Sequence, residues 1–253
     1  MLVIFSDLDG TLLDESYSFD AAKPALALLR REGVPLVLVS SKTRAEMIEW
    51  RKRLGIRGAP FVVENGGAVV WGGETVALGA PYAELLRDLE AASRASGCRV
   101  RGFHQMDAAE IARIAGMTVE WAALAKHREY DEPFQVLDAG KAADLEAAIE
   151  RLGKRCVRGG RFYHITGAND KAAAVRVVAE RYPGAITAGL GDAPNDLSML
   201  RAVQVPVIVR SKFTSDMAAA LPSARVTAKP GPAGWNEAVI ELLGGPSRRG
   251  PRG

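Results

Sequence analysis

Leu2-Val3-Ile4-Phe5-Ser6-Asp7-Leu8-Asp9-Gly10-Thr11-Leu12-Leu13 opens a chain of 253 residues. The apolar run from Leu2 to Phe5 is too short for a helix, and two aspartates and a Gly-Thr pair follow it, so the stretch reads as a buried parallel strand that ends in a polar loop. In an open α/β sheet, ligands bind at the carboxyl ends of the strands. Side chains two apart on an extended chain point the same way, which turns Asp7 and Asp9 toward one centre, and Gly10 permits the tight exit from the strand. Two carboxylates that close repel unless they share a cation or a proton. Taken alone, the string also fits a plain strand followed by an acidic turn.

The rest of the chain is long enough for a large α/β domain, or for a core carrying an inserted module. Hydrophobic residues make up 48% and charged residues 25%, ordinary globular values. No apolar run reaches the ~18 residues of a membrane span, and Met1 leads directly into the first strand without a signal peptide, so no membrane partner is expected. The formal charge of +3 is matched by Arg248, Arg249 and Arg252 in the Gly/Pro-rich tail; without them the charges balance, and no nucleic-acid partner is expected. Cys98 and Cys156 are the two cysteines and lie in no metal-ligand spacing, which fits a reducing cytoplasm with both thiols as small buried hydrophobes.

Working outward, Ala21–Glu32 reads as a helix closed by Gly33, and Pro35–Val39 as a second buried strand. That strand ends at Ser40-Ser41-Lys42-Thr43-Arg44, ahead of a helix holding Met47, Ile48 and Leu54. A hydroxyl at a strand end beside a helix N-terminus can hold a phosphate oxygen, and equally can serve as a helix cap. Pro60–Val63 is a third strand, followed by a loop at Glu64–Gly67 and a short hairpin from Ala68. A block of different rhythm then runs from about Pro81 to Thr166, in the order αβααβαββ. Its helices are Tyr82–Ser96, Asp107–Ala115, Thr118–Arg128 and Lys141–Leu152, and its strands Cys98–Phe103, Pro133–Leu137, Arg155–Val157 and Arg161–Thr166.

A helix opens at Lys171, where a first-turn cation is unfavourable for the helix dipole; the small penalty gives the ammonium another task, pairing with Asp7 and a phosphate. Ala185–Leu190 is a strand, and Gly191-Asp192-Ala193-Pro194-Asn195-Asp196-Leu197-Ser198-Met199-Leu200 the loop and helix after it. Val205–Val209 and Arg225–Thr227 are final strands and Trp235–Leu243 a closing helix. The fold class is α/β: a doubly wound, Rossmann-like parallel-sheet core of residues 1–80 and 167–243, an inserted α/β cap of residues 81–166, and a flexible tail of residues 244–253.

Asp7-Leu8-Asp9-Gly10-Thr11-Leu12-Leu13 resembles the first motif of the haloacid dehalogenase superfamily residue for residue. Ser40 fills the position of its second motif and Lys171 of its third, and Gly191–Leu200 is similar to the fourth. The inserted block resembles the larger cap of Cof-type members. That resemblance implies a magnesium-dependent phosphatase in which Asp7 attacks phosphorus and forms an aspartyl phosphate. Asp9 would protonate the leaving alkoxide and deprotonate the attacking water, while Ser40 and Lys171 hold the phosphoryl oxygens. The metal set would be Asp7, the main-chain carbonyl of Asp9, Asp192, and Asp196 either directly or through water.

Five further strings carry a narrower resemblance over nearly the whole chain: Ser40–Thr43, Val63–Gly66, Arg128-Glu129-Tyr130-Asp131-Glu132-Pro133-Phe134, Arg161–His164 and Gly231-Pro232-Ala233-Gly234-Trp235. They are similar to the family of mannosyl-3-phosphoglycerate phosphatases, which implies a small phosphorylated sugar-glycerate as substrate and a place in compatible-solute synthesis. Such a substrate needs cations and hydroxyl-binding groups. Lys42, Arg128 and Arg161 are the candidate anion partners, and Asn65, Glu129, Glu132 and His164 the candidate hydroxyl partners; each reads equally as a surface group. Of the three histidines, His104, His127 and His164, none has zinc-site spacing. The rival readings are another Cof-type sugar phosphatase, acting on glucosyl-3-phosphoglycerate or a sucrose-phosphate-like ester, and a non-catalytic binding protein on the same fold.

Overall fold

The computed structural model describes residues 1–158 and 161–244. In chain order the elements are β1 (Leu2–Ser6), α1 (Lys23–Arg31), β2 (Leu36–Val39), α2 (Arg44–Leu54), β3 (Phe61–Val63), β4 (Ala68–Trp71), β5 (Glu74–Ala77) and α3 (Tyr82–Ser96). There follow β6 (Val100–Gly102), α4 (Ala108–Ala115), α5 (Val119–Ala125), β7 (Asp131–Val136), α6 (Ala142–Arg151), β8 (Arg155–Arg158) and β9 (Tyr163–Thr166). The described residues end with α7 (Lys171–Ala179), β10 (Ile186–Gly191), α8 (Leu197–Arg201), β11 (Val205–Arg210), α9 (Thr214–Ala220), β12 (Arg225–Pro230) and α10 (Gly231–Gly244). From α3 to β9 the order is the expected αβααβαββ.

Contacts divide the chain into two units, one of Met1–Ser40, Gly58–Phe61 and the residues from Lys171 on, the other of Ser41–Arg57 and Val62–Asp170. The second therefore holds α2, β4 and β5 as well as residues 81–166. Of the expected tail, residues 245–253 lie outside the described residues.

The first unit is built on parallel strands in the order β12-β11-β10-β1-β2. β1 is buried along its whole length and pairs Leu2 with Ile186 through Ser6 with Leu190 on one side, and Ile4 with Leu36 through Ser6 with Leu38 on the other. Chain order reverses at β1, so the carboxyl ends of β1 and β10 frame a topological switch point, the usual ligand position in such sheets. α1 packs with α10, and α7 with α8.

The second unit carries an antiparallel sheet in the order β6-β7-β9-β8. Leu85 and Leu89 of α3 and Leu145 and Ile149 of α6 meet Phe134 and Ile165 of the sheet in a buried apolar cluster. A smaller cluster joins Phe103, Ile111, Ala122 and Phe162. α2 packs on α5 through Trp50 and Trp121, stacked at 5.0 Å with Arg53 over the Trp121 ring at 4.8 Å. β4 and β5 form the expected hairpin, turning on Gly72 and Gly73, both at positive φ as a tight two-residue turn requires.

Several elements differ from their sequence expectation. β6 spans only Val100–Gly102, because Phe103 turns away to bury in the smaller cluster. β7 begins at Asp131, ahead of Pro133; β6 pairs no further than Phe134, so one edge of Pro133 lies past the ladder and its missing N–H costs nothing there. α9 has a single buried residue, Met217, and hence no apolar periodicity to announce it; Ser211 and Thr214 hold its start by reciprocal hydrogen bonds. Ile48 is 54% exposed rather than packed inward, and Cys156 is half-buried where Cys98 is fully buried.

Candidate active site

The N–H of Asp7 donates to the carbonyl of Leu190 at 3.0 Å, which continues the β1–β10 ladder one residue past the strand. The chain then turns on Gly10 at φ 77. A Cβ at Gly10 would lie 2.5 Å from Asp192 Oδ2, so glycine is required by both conformation and space. The turn delivers Thr11, fully buried, whose hydroxyl donates to Asp192 Oδ1 at 2.8 Å. Asp192 leaves the end of β10, and Ser211 Oγ donates to its carbonyl at 2.6 Å.

Lys171 is the first residue of α7 and is 1% exposed. Its Nζ donates to Asp7 Oδ1 and to Asp196 Oδ1, both at 2.6 Å. The other oxygen of Asp196 accepts the N–H groups of Asp192 and Ala193 at 3.0 and 3.1 Å. Asp7, Asp192 and Asp196 offer carboxylate oxygens that all lie within 4.8 Å of one another. Asp9 is exposed and its side chain is not a member of that cluster. Ser40 is buried at the end of β2.

The charges of this cluster do not balance. Burial raises Asp7 well above the usual carboxylate range, Asp196 adds to the shift, and Lys171 opposes it. Burial and the Asp196 charge push Asp192 up to about 7. Burial alone would lower Lys171, yet Asp196 and Asp7 outweigh it and hold the ammonium above the ordinary lysine range. One ammonium thus faces three buried carboxylates, and Asp9 adds to the repulsion at Asp7 and Asp192. A hard divalent cation fits this all-oxygen donor set and would relieve its excess negative charge.

The other expected site residues lie in the second unit. Lys42 is buried, and its carbonyl accepts the N–H of Glu64 at 3.0 Å. Arg128, its side chain 7% exposed, donates to the carbonyls of Ala125 and Ser41 at 2.8 and 2.9 Å and stands 3.8 Å from Asp131. Glu129 forms a two-bond pair with Arg44, at 2.8 and 3.1 Å. His164 Nδ1 lies 3.0 Å from both Asp131 oxygens. Asn65 is half-buried at φ 56, and Arg161 is exposed beside Gly116. Glu132, fully buried, accepts from the Tyr82 hydroxyl at 2.7 Å and meets His104 Nδ1 at 2.7 Å.

Sequence reading passes over Thr11, Glu64, Arg44 and Asp131 as individual groups. Glu64 is fully buried, accepts the N–H groups of Glu129 and Tyr130 at 2.8 to 3.1 Å, and is pushed by burial up to about 7. The sequence signal was only a glutamate directly after the apolar strand Phe61–Val63, a position that reads as an ordinary solvated loop charge.

A family model of haloacid dehalogenase-like hydrolases matches residues 4–85. The glucosyl-3-phosphoglycerate/mannosyl-3-phosphoglycerate phosphatase of Methanococcoides burtonii is 36% identical over 265 residues, covering 96% of this chain and 97% of its own. The phosphatase of the same description from Persephonella marina is 37% identical over 264 residues, with the same coverage of 96% and 97%. Among solved structures, a haloacid dehalogenase-like hydrolase from Bacteroides thetaiotaomicron superposes with a TM-score of 0.73 over 95% of this chain and 98% of its own, at 20% identity, a likeness of fold. Near-full-length identity of this order, on a sheet whose switch point gathers three aspartates and a lysine, places the chain in the haloacid dehalogenase-like hydrolases, as a member of the glucosyl-3-phosphoglycerate/mannosyl-3-phosphoglycerate phosphatase family.

Proposed function

We propose that this phosphatase converts mannosyl-3-phosphoglycerate to mannosylglycerate and inorganic phosphate, with magnesium as its cation and an aspartyl phosphate on Asp7 as intermediate. The observation that carries the chemistry is the Asp7–Lys171–Asp196 bridge beside Asp192, because it presents an oriented carboxylate next to a fixed cation. A carboxylate is an adequate nucleophile once held in line with phosphorus. An Asp7 oxygen forms the new bond to phosphorus as the ester P–O bond breaks, and the departing glycerate oxygen takes a proton from Asp9. Asp9 then accepts a proton from water, whose oxygen attacks the aspartyl phosphate; phosphate leaves and the Asp7 carboxylate is restored.

Lys171 and Ser40 bind the phosphoryl oxygens as their charge redistributes. The Asp7 and Asp192 carboxylates and the main-chain carbonyl of Asp9 would hold magnesium. Asp196, both of whose oxygens already serve Lys171 and two N–H groups, would act through a water. When bound, the cation supplies charge neutralisation between the nucleophile and the incoming phosphate dianion. Recognition of the sugar and glycerate is assigned to Lys42, Asn65, Arg128, Glu129, Arg161 and His164, and residues 81–166 to a specificity cap.

The relatives are named for both glucosyl and mannosyl esters, which supports glucosyl-3-phosphoglycerate as a second substrate. Both cysteines are free, in keeping with a cytoplasmic enzyme, and no helix of the described residues is long and apolar enough to cross a membrane. Phosphate release from a panel of mannosyl- and glucosyl-3-phosphoglycerate, sucrose phosphate, hexose phosphates and p-nitrophenyl phosphate, with and without magnesium, tests the assignment. The highest kcat/KM should fall on the mannosyl ester. A hexose phosphate or sucrose phosphate preferred over both glycerate esters overturns it.

A further inference from the structure

Gly231-Pro232-Ala233-Gly234-Trp235 has no part in the chemistry above, yet it ends directly beneath the nucleophile. Trp235 is fully buried in α10, and its indole N–H donates to Ser6 Oγ at 2.9 Å. Ser6, also fully buried, donates in turn to the carbonyl oxygen of Asp7 at 2.7 Å. With the Asp7 N–H held by Leu190, both main-chain polar groups of Asp7 have fixed partners, one from the neighbouring strand and one through a two-bond relay from the last helix.

Glycines seat the donor. A Cβ at Gly234 would lie 2.0 Å from the Lys229 carbonyl and 2.6 Å from Thr227 Oγ1, so the first turn of α10 sits tightly on the end of β12. The Cβ position of Gly231, at φ 54, is 3.9 Å from the carbonyl oxygen of Gly10, in the turn that follows Asp9. A buried indole N–H needs an acceptor, and a phenylalanine would fill most of the same space without one. Tryptophan over serine therefore marks a directional contact rather than volume alone.

We infer that Trp235 and Ser6 are positioning residues for Asp7: the Nε1–Oγ–carbonyl relay sets the main-chain plane from which the carboxylate reaches phosphorus. In-line attack is sensitive to small misplacements of the reacting atom, so loosening the relay slows the chemical step more than it weakens binding. The inference rests on Asp7 as nucleophile.

Ser6→Ala removes both bonds of the relay and Trp235→Phe only the first; these, the double variant and Val239→Ala, which truncates another fully buried α10 residue outside the relay, complete the set. Steady-state kinetics on p-nitrophenyl phosphate with magnesium should show kcat reduced about five- to tenfold in Ser6→Ala and about threefold in Trp235→Phe, the range of one lost hydrogen bond. KM should stay within about twofold in both, and the double variant should match Ser6→Ala because the bonds act in series. Val239→Ala should lose Tm and keep kcat. Unchanged kcat in both single variants, losses that multiply in the double, or a kcat loss in Val239→Ala that follows its Tm would overturn the relay. Turnover surviving in Asp7→Asn would instead overturn the nucleophile, so the two failures are distinguishable.

Discussion

Among the described residues the first unit buries three carboxylates and the second four, and the two sets differ in what surrounds them. In the first unit Asp7, Asp192 and Asp196 converge on one point with Lys171 as the ammonium between them. In the second, Glu46, Glu64, Asp131 and Glu132 are buried but dispersed, each with its own partners: the N–H and hydroxyl of Thr43 for Glu46, two main-chain N–H groups for Glu64, His164 and Arg128 for Asp131, and Tyr82 and His104 for Glu132. Buried charge alone does not mark a catalytic centre. What marks the first set is convergence on one point with charge that its neighbours leave uncompensated.

The largest expected effect is on the converging set. Asp7→Asn should reduce turnover of every substrate by roughly a thousandfold or more, with the fold kept, because it removes the proposed nucleophile and relieves repulsion at the same stroke. Asp9→Asn should slow the phosphorylation step less with p-nitrophenyl phosphate than with a sugar ester, since a good leaving group needs no acid. Rapid-quench measurement of that step giving equal losses for both substrates would remove Asp9 from the acid role.

Next comes the cation. Chelation should silence the enzyme and magnesium restore it, and Asp192→Ala should weaken magnesium affinity more than Asp196→Ala, by about ten- to a hundredfold against a few fold. Titration of activity against free magnesium measures both. Equal shifts would make Asp196 a direct ligand, and full activity under chelation would erase the contrast between the two carboxylate sets.

A smaller effect is expected from the cations of the second unit. Lys42→Ala, Arg128→Ala and Arg161→Ala should each lower kcat/KM for mannosyl-3-phosphoglycerate relative to p-nitrophenyl phosphate by about ten- to a hundredfold, the worth of a charged hydrogen bond. Arg128→Ala should also lower Tm, because it leaves Asp131 buried without its guanidinium, whereas Arg161, exposed, should not. A substrate ratio that stays constant across the three would leave them as structural or surface charges.

The smallest effect is on stability. Asp192 stands at about 7 in the folded protein, raised by burial and Asp196, against about 4 for an unfolded aspartate. Between those values the folded state binds the extra proton, so stability is full at the acid end and falls as pH rises through about 7. Metal-free protein should therefore lose several degrees of Tm between about pH 5 and pH 8, and magnesium should recover more of it at the upper end. Glu64, raised to about 7 by burial, contributes a slope of the same sign, and Glu64→Gln should flatten the part that magnesium leaves. A Tm indifferent to pH in the chelated protein would contradict both.

Much of this was legible in order along the chain. Short apolar runs ending in polar loops gave the strands, and the Asp-x-Asp-Gly-Thr and Gly-Asp strings gave two strand ends carrying carboxylates. α9 escaped because it buries one side chain, and the start of β7 because Pro133 argues against a strand unless the extent of its neighbour is known. Glu64 and Asp131 look like surface charges in a sequence, since acidic residues in loops and beside prolines are usually solvated.

By itself, then, the sequence determined which residue types stand at which strand ends and hence the chemistry available: carboxylates, a hydroxyl and an ammonium. It also determined the local devices, such as Gly10, whose positive φ no larger residue adopts readily. Only the tertiary structure decided which charges converge. Lys171 reaches Asp7 and Asp196 because parallel pairing of β1 with β10 aligns strand ends that lie far apart in sequence. Partners at such separation are set by strand order and register, which no local pattern encodes. The same holds for Trp235: its burial follows from apolar character, but that its N–H meets Ser6 next to Asp7 depends on how the last described helix packs against the first strand.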